Sequence, residues 1–270
     1  MSAPSPLAGP EPWNLVSDGY AAELLPLFAE YAADALERGG QTADSTILDV
    51  ATGPGTLALL AAPGVRRVVG VDFAESMLAI ARRRAAEAGV ENVEFHFADG
   101  QTLPMENESV DAAFSMFGLM FFPDREAGFS EMARALRPGG RAVVSAWTPV
   151  EETPLLVTLF AAIREALPEL PFGKGDGPLS VPDHFRQEMR SGGFREVRID
   201  RVTHCREVAS IRDFWDSQAR SSAPIVLLRS SLGAEEWRKF ADRVVDRLEG
   251  EFGRGTLDVG WAAFLGVGTR

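Results

Sequence analysis

The chain has 270 residues and a formal net charge of −12, with 46% hydrophobic and 24% charged residues. That balance supports a globular core and excludes an intrinsically disordered chain, and no basic stripe suited to nucleic-acid phosphates is present. The single Cys205 has no disulfide partner and fits a reducing, cytoplasmic compartment, while apolar runs such as Ala112–Phe122 are far short of the roughly 20 residues of a membrane span.

In chain order, Met1–Pro12 carries Pro4, Pro6, Pro10 and Pro12 and reads as a mobile tail, lacking the basic start and apolar stretch of a signal peptide. A helical pattern follows, with Leu24, Phe28, Tyr31, Ala32 and Leu36 on one face. Pro26 fits its first turn and Gly39-Gly40 its stop. From Thr46 to Trp147, short β-rich runs alternate with helical patterns, as βαβ units on a parallel sheet do. The expected strands are Thr46–Val50, Arg67–Asp72, Val93–Ala98, Ser109–Met116 and Arg141–Trp147. Helices are expected near Gly55–Ala62, Glu75–Ala88 and Pro123–Leu136, the last stopped by Pro138-Gly139-Gly140.

Beyond Trp147 the alternation breaks. Pro149–Pro171 holds a helix-like stretch through Leu155, Leu159, Ile163 and Leu167, and Gly173–Ser180 reads as an exposed loop. Phe194–Val202 alternates as a strand, Trp237 to Leu248 shows an amphipathic helical pattern, and Val259–Val267 reads as the closing strand.

The strongest chemical signal is Ile47-Leu48-Asp49-Val50-Ala51-Thr52-Gly53-Pro54-Gly55-Thr56-Leu57, a strand running through a tight glycine-containing turn into a helix. Such a turn lets bare backbone approach a ligand closely. Asp72 ends the next strand, 17 residues after Gly55. A carboxylate at that place in a doubly wound sheet can accept hydrogen bonds from both ribose hydroxyls. Gly53-Pro54-Gly55-Thr56-Leu57-Ala58 also satisfies a G-x-G-x-x-A dinucleotide fingerprint. Asp49 argues against that ligand, because an anion four residues before Gly53 suits a cationic amino group or sulfonium better than a pyrophosphate. A second acidic turn, Ala98-Asp99-Gly100, is placed to grip an adenine amino group, and Arg137-Pro138-Gly139-Gly140-Arg141 leads into the fifth strand.

Asp49-x-Ala51-x-Gly53-x-Gly55, Asp72, Asp99, Asp111-Ala112-Ala113-Phe114-Ser115 and Arg137-Pro138-Gly139-Gly140 together resemble the class I S-adenosylmethionine-dependent methyltransferases over about residues 45–147. The flavour is that of the branch related to ubiquinone/menaquinone-biosynthesis (UbiE-like) and small-molecule methyltransferases. Ala51 departs from the pattern, which often has glycine there. The resemblance implies S-adenosyl-L-methionine as cofactor. It places Ala51, Thr52, Gly53 and Gly55 in the turn around the methionine part, with Asp49 beside it. Asp72 takes the ribose hydroxyls, and Phe73 and Met77 flank the adenine. Asp99 meets the adenine amino group, the Gly100 backbone lies opposite a ring nitrogen, and Ser115 or Met116 offers a carbonyl to the amino-acid end.

The expected fold is therefore α/β, a doubly wound Rossmann-like sheet of seven mostly parallel strands with an antiparallel last strand and a helical cap. One domain is expected over residues 1–270. It comprises a flexible N-terminal segment (1–19), a cofactor-binding core (20–147), cap insertions (148–193 and 204–255) and closing strands (194–203 and 256–268).

Methyl transfer from a sulfonium is an in-line displacement governed by positioning, with no metal or covalent enzyme intermediate required. A carbon or oxygen nucleophile can also call for a base. The candidates are His184, in the insertion after the fifth strand, and Tyr20, which with Trp13 lies in an N-terminal segment able to fold over the site. His96 reads as structural. Phe117, Met120, Phe121 and Phe122 read as an acceptor-pocket wall. Phe214-Trp215-Asp216-Ser217 and Arg220 are further lining candidates, Arg220 for an anionic group. Asp124 is the only evident carboxylate near the fourth strand's end, so no metal is expected. Ser115-Met116-Phe117-Gly118 stands where an N-P-P-[YF] tetrad would mark amino-nitrogen methylation of bases. The expected function is methylation of carbon or oxygen on a small, largely apolar molecule. An NAD(P)-dependent oxidoreductase and a non-catalytic cofactor-binding sensor or scaffold are the alternatives; the acceptor and the oligomeric state, a homodimer included, stay open.

Overall fold

The computed structural model describes residues 5–166 and 177–270. The end of the Pro149–Pro171 stretch and the first half of Gly173–Ser180 lie outside the described residues, as does the start of the N-terminal tail.

Seven strands form one sheet: β1 (Thr46–Val50), β2 (Arg67–Asp72), β3 (Val93–Phe97), β4 (Val110–Ser115), β5 (Leu136–Trp147), β6 (Arg195–Val208) and β7 (Leu257–Thr269). Their order is β3-β2-β1-β4-β5-β7-β6. β1 to β5 pair in parallel, and β7 runs antiparallel between β5 and β6. This is the doubly wound sheet with an antiparallel last strand expected above. The order reverses at β1 and β4, so the connections leaving these strands diverge and open a crevice at their carboxyl ends.

Each central strand is apolar on both sides because helices cover both faces. On one face, Ile47, Val68, Ala112, Phe114 and Val143 pack with α1 (Glu11–Gly39) and α2 (Thr56–Ala61). On the other, Leu48, Val50, Val69, Ala113 and Val144 pack with α4 (Arg125–Ala135) and α6 (Pro182–Ser191). The period-two alternation of the strands thus sorts neighbouring residues into two cores. α3 (Glu75–Glu87) follows β2 and packs beside α1. A third core, built around Trp215, Phe240 and Leu248, joins α5 (Pro154–Ala166), α7 (Ile211–Ser221), α8 (Ala223–Ser231) and α9 (Ala234–Phe252) into a helical cap.

Three elements differ from the sequence expectation. The first helix starts at Glu11, so Pro26 lies in its interior instead of its first turn. Packing explains the difference: Val16, with Trp13 and Tyr20, is buried against Ala74, Met77 and Ala223, which outweighs the missing proline hydrogen bond. The chain leaves α4 at Ala135 and enters β5 directly, so Pro138-Gly139-Gly140 lies inside the strand rather than at the helix end. Finally, α6 falls within the segment assigned to the cap, yet it covers the sheet. Its Phe185 and Met189, one helical turn apart, lie against Gly266 of β7, where an added Cβ would come within 2.7 Å of either side chain.

Candidate functional site

The turn after β1 is held in a rare backbone form. Ala51, Gly53 and Gly55 have φ of 55°, 54° and 75°, in the left-handed region that glycine tolerates best. The Thr52 N–H donates to the Val71 carbonyl at 3.0 Å, which ties the turn to β2. Beneath the turn, the Thr52 hydroxyl donates to the Asp49 carboxylate at 2.6 Å. Asp49 is only 1% exposed. Burial pushes its carboxyl up to about 7, against the lowering effect of hydrogen bonds from Thr52 and the Ala58 backbone.

Asp72 closes the turn from the end of β2. Its Oδ2 accepts the Gly53 N–H at 2.8 Å and its Oδ1 accepts the Ala74 N–H at 2.9 Å. Burial raises its carboxyl to about 6, with the backbone donors of Ala74, Gly53 and Phe73 working the other way. Tyr20 reaches the same region from α1. Burial, and then the negative charge of Asp72, push its phenol well above the ordinary tyrosine range. The helix that carries Tyr20 is fixed by Asn14, whose Oδ1 accepts the Ser76 N–H at 3.0 Å. This supplies a cap to α3, whose own N-cap residue Ala74 makes no side-chain cap bond.

These groups surround a cleft of about 740 Å³, part of it open to solvent, at the carboxyl ends of β1 to β4. Of the expected cofactor residues, Ala51, Gly53, Asp72, Phe73, Met77, Asp99, Gly100 and Met116 line it. Asp49, Thr52, Gly55 and Ser115 stand behind its wall. Gly55 begins α2, where an added Cβ would sit 3.1 Å from Ala81 and Phe95. Ser115 is buried, its hydroxyl accepting the Leu119 N–H at 3.2 Å. Phe117, Phe121 and Phe122 form the apolar wall, whereas Met120 packs into the sheet core.

Tyr20 and Trp13 both line the cleft, and Trp13 stands 4.9 Å from Phe121, ring centre to ring centre. His184 does not. It lies on α6 beside a separate surface depression with Glu126, Gln187, Glu188 and Ser191, so the structure does not join it to Tyr20. The reason is the placement of α6 on the sheet instead of in the cap. Arg220 also differs from expectation: it pairs with Glu23 of α1 at 2.7 Å, and Phe214 and Trp215 are buried in the cap's own core. His204 is held between Asp34 at 2.7 Å and Glu30 at 3.1 Å, pinning α1 to β6. His96 is exposed beside Glu94.

Gln101 and Ala8 line the cleft without having been singled out in the sequence. Gln101 follows Asp99-Gly100 in the same turn, a signal that adjacency alone carries; Ala8 had none. Among the described residues, the only charged ones in the lining are Asp72 and Asp99, and none of those lining residues is Arg, Lys or His. Among the described residues no group of three or more His, Cys, Asp or Glu side chains is placed to hold a metal ion. No helix among them is long and apolar enough to cross a membrane.

Residues 47–140 match a family model described as a methyltransferase domain. The chain is 43% identical over 136 residues to a demethylmenaquinone methyltransferase of Thermus thermophilus, covering 47% of this chain and 61% of that relative. It is 34% identical over 167 residues to the ubiquinone/menaquinone biosynthesis C-methyltransferase UbiE of Geobacter sulfurreducens, covering 56% of this chain and 65% of that one. The chain thus spans less than two thirds of the length of these curated relatives. The YcgJ protein of Bacillus subtilis shares the fold at a TM-score of 0.60 and 19% identity, over 89% of this chain and 98% of that one. The glycine turn, the acids Asp72 and Asp99 and the reversal of sheet order at β1 and β4 all lie within residues 47–140, the stretch that is similar to a methyltransferase domain.

Proposed function

We propose that this chain transfers a methyl group from S-adenosyl-L-methionine to carbon or oxygen of a small, largely apolar molecule. The observation that carries the reading is the charge of the cleft, where the described lining residues offer two carboxylates and no cation. A cationic sulfonium is favoured there, while the two phosphates of a dinucleotide would find no counter-charge. This argues against a nicotinamide oxidoreductase despite the matching glycine fingerprint. The names of the relatives support the same reading.

The sulfonium, when bound, supplies a methyl group activated for displacement. The chain's residues hold and orient. Asp72, whose Oδ2 accepts the Gly53 N–H and whose Oδ1 accepts the Ala74 N–H, is placed to accept from a diol at the end of β2. Phe73 and Met77 offer apolar surface to a flat ring, with Asp99 at its edge. Phe117, Phe121, Phe122 and Trp13 give the acceptor an apolar wall that excludes water. The Tyr20 phenol, kept protonated by burial, acts as a hydrogen-bond donor that orients the acceptor and not as a base. No histidine reaches the lining, so an acceptor whose nucleophilic atom ionises readily, such as a phenol or an enol, fits best.

We read the cap helices and α1 as one cover over a single domain, working in a reducing, cytoplasmic compartment, as the free Cys205 thiol suits. The test is to incubate the chain with S-adenosyl-L-methionine and a panel of small phenols and enols, then detect S-adenosylhomocysteine by mass spectrometry. Acceptor-dependent product supports the reading. Cofactor binding without product from any acceptor would favour a sensor or scaffold instead.

A further inference from the structure

The rim of the cleft holds a clasp that the sequence motifs do not mark. Asp99 is exposed, and its carboxylate is held almost entirely by Gln101. The Gln101 backbone N–H donates to Oδ1 at 2.8 Å, and its Nε2 donates to Oδ1 at 3.0 Å and to Oδ2 at 3.1 Å. The remaining end of the amide faces the opposite loop, where its Oε1 accepts the Asp124 N–H at 2.9 Å. Asp124 in turn caps α4 by accepting the Ala127 N–H at 2.9 Å. The two loops also touch directly. A Cβ on Gly100 would lie 2.4 Å from the Phe122 ring, so only glycine leaves them flush.

We propose that Gln101 is a positioning residue for base recognition, resting on the methyl-donor reading above: it fixes the Asp99 carboxylate so that the acid can select a purine carrying an exocyclic amino group. An exposed aspartate has several rotamers available and loses binding strength in choosing one. Gln101 removes that choice in advance. It also leaves acceptor capacity free, because Oδ2 takes only one shared donor while Oδ1 takes two. By holding Asp124 as well, the same amide couples the base-binding turn to the wall formed by Phe121 and Phe122, so the two parts of the cleft keep a fixed spacing.

The experiment is calorimetric titration of two ligands, S-adenosylhomocysteine and its 6-deamino purine analogue, into the wild-type chain and the variants Gln101→Ala and Gln101→Glu. The glutamate keeps an acceptor for the Asp124 N–H but turns a like charge toward Asp99. The wild type binds the amino ligand more tightly than its analogue. Both variants weaken the amino ligand by roughly three- to ten-fold and leave the analogue within about two-fold, the range expected for losing one preorganised polar contact. Equal loss for both ligands, or no loss for either, would overturn the assignment by showing a purely structural role or none. Equal binding of the two ligands by the wild type overturns it too. Failure of the wild type to bind either ligand would defeat the donor reading itself, and the inference with it.

Discussion

The side chain of Ala51 occupies the space that Gly118 leaves open: a Cβ at position 118 would lie 2.3 Å from the Ala51 Cβ. The two residues follow β1 and β4, the strands at which the sheet order reverses. Ala51 holds a left-handed φ of 55°, a conformation that costs a residue with a Cβ about 1 kcal/mol. Gly118, without a side chain, gives the Ala51 methyl its room.

Gly118→Ala is therefore expected to destabilise the fold by about 1–3 kcal/mol, read from denaturant midpoints. Ala51→Gly removes both the strain and the colliding carbon, so it is expected to be close to neutral and to rescue Gly118→Ala. A double-mutant cycle with coupling of about 1 kcal/mol or more supports the relationship. Simple additivity would contradict it.

Burial pushes the Asp49 and Asp72 carboxyls up to about 7 and about 6. A carboxyl raised in the folded state binds its proton more tightly there than in the unfolded chain. The stability it contributes is complete below about pH 4 and is lost as pH rises through 6 to 7. Asp49→Asn stays neutral throughout and keeps an oxygen for the Thr52 hydroxyl. Relative to the wild type, this variant is expected to gain roughly 1–3 kcal/mol between pH 5 and pH 8. Thermal unfolding of both proteins at the two pH values checks this, and parallel pH profiles would contradict it.

Much of the fold was legible because the chemistry was local. The βαβ rhythm from Thr46 to Trp147 reflects strands buried on both faces, and all five strands expected there appear within a few residues of their expected ends. The acids Asp72 and Asp99 were legible because Asp72 ends β2 and Asp99 lies in the turn just after β3. What escaped was decided by packing between distant segments. Nothing near Pro26 announces that Val16 and Tyr20 will be buried, so the helix looked half its length. His184 reads as a cap residue because it lies in the insertion after the fifth strand, whereas the burial of its neighbours Phe185 and Met189 against the sheet is settled by packing. Gln101 lacked a motif of its own, since its role depends on Asp124 across the cleft.

Tyr20 and His184 separate cleanly as targets. Tyr20→Phe retains the ring and its contact with Phe28, whose centre lies 5.3 Å away, but removes the donor. It is expected to lower kcat by roughly ten-fold or more with little change in donor affinity. His184→Ala, outside the cleft, is expected to leave steady-state kinetics within about two-fold. The reverse pattern would return the chemistry to α6.

Asn14→Ala removes the cap that α1 lends to α3. The expected cost is about 0.5–2 kcal/mol of stability, as for a lost N-cap. Because Trp13 and Tyr20 ride on the same helix, donor dissociation is expected to quicken in parallel. Stopped-flow release of S-adenosylhomocysteine measures it; an unchanged rate would separate α1 from the cleft's closure.

The most direct test is calorimetric titration of S-adenosyl-L-methionine, with NAD as the competing ligand, into the wild type and Asp72→Ala. Saturable binding of S-adenosyl-L-methionine at tens of micromolar or below, no comparable binding of NAD, and a loss of about ten-fold or more in the variant are the expected results. Absence of donor binding, a preference for NAD, or unchanged affinity in Asp72→Ala would contradict the assignment of this cleft to a methyl donor.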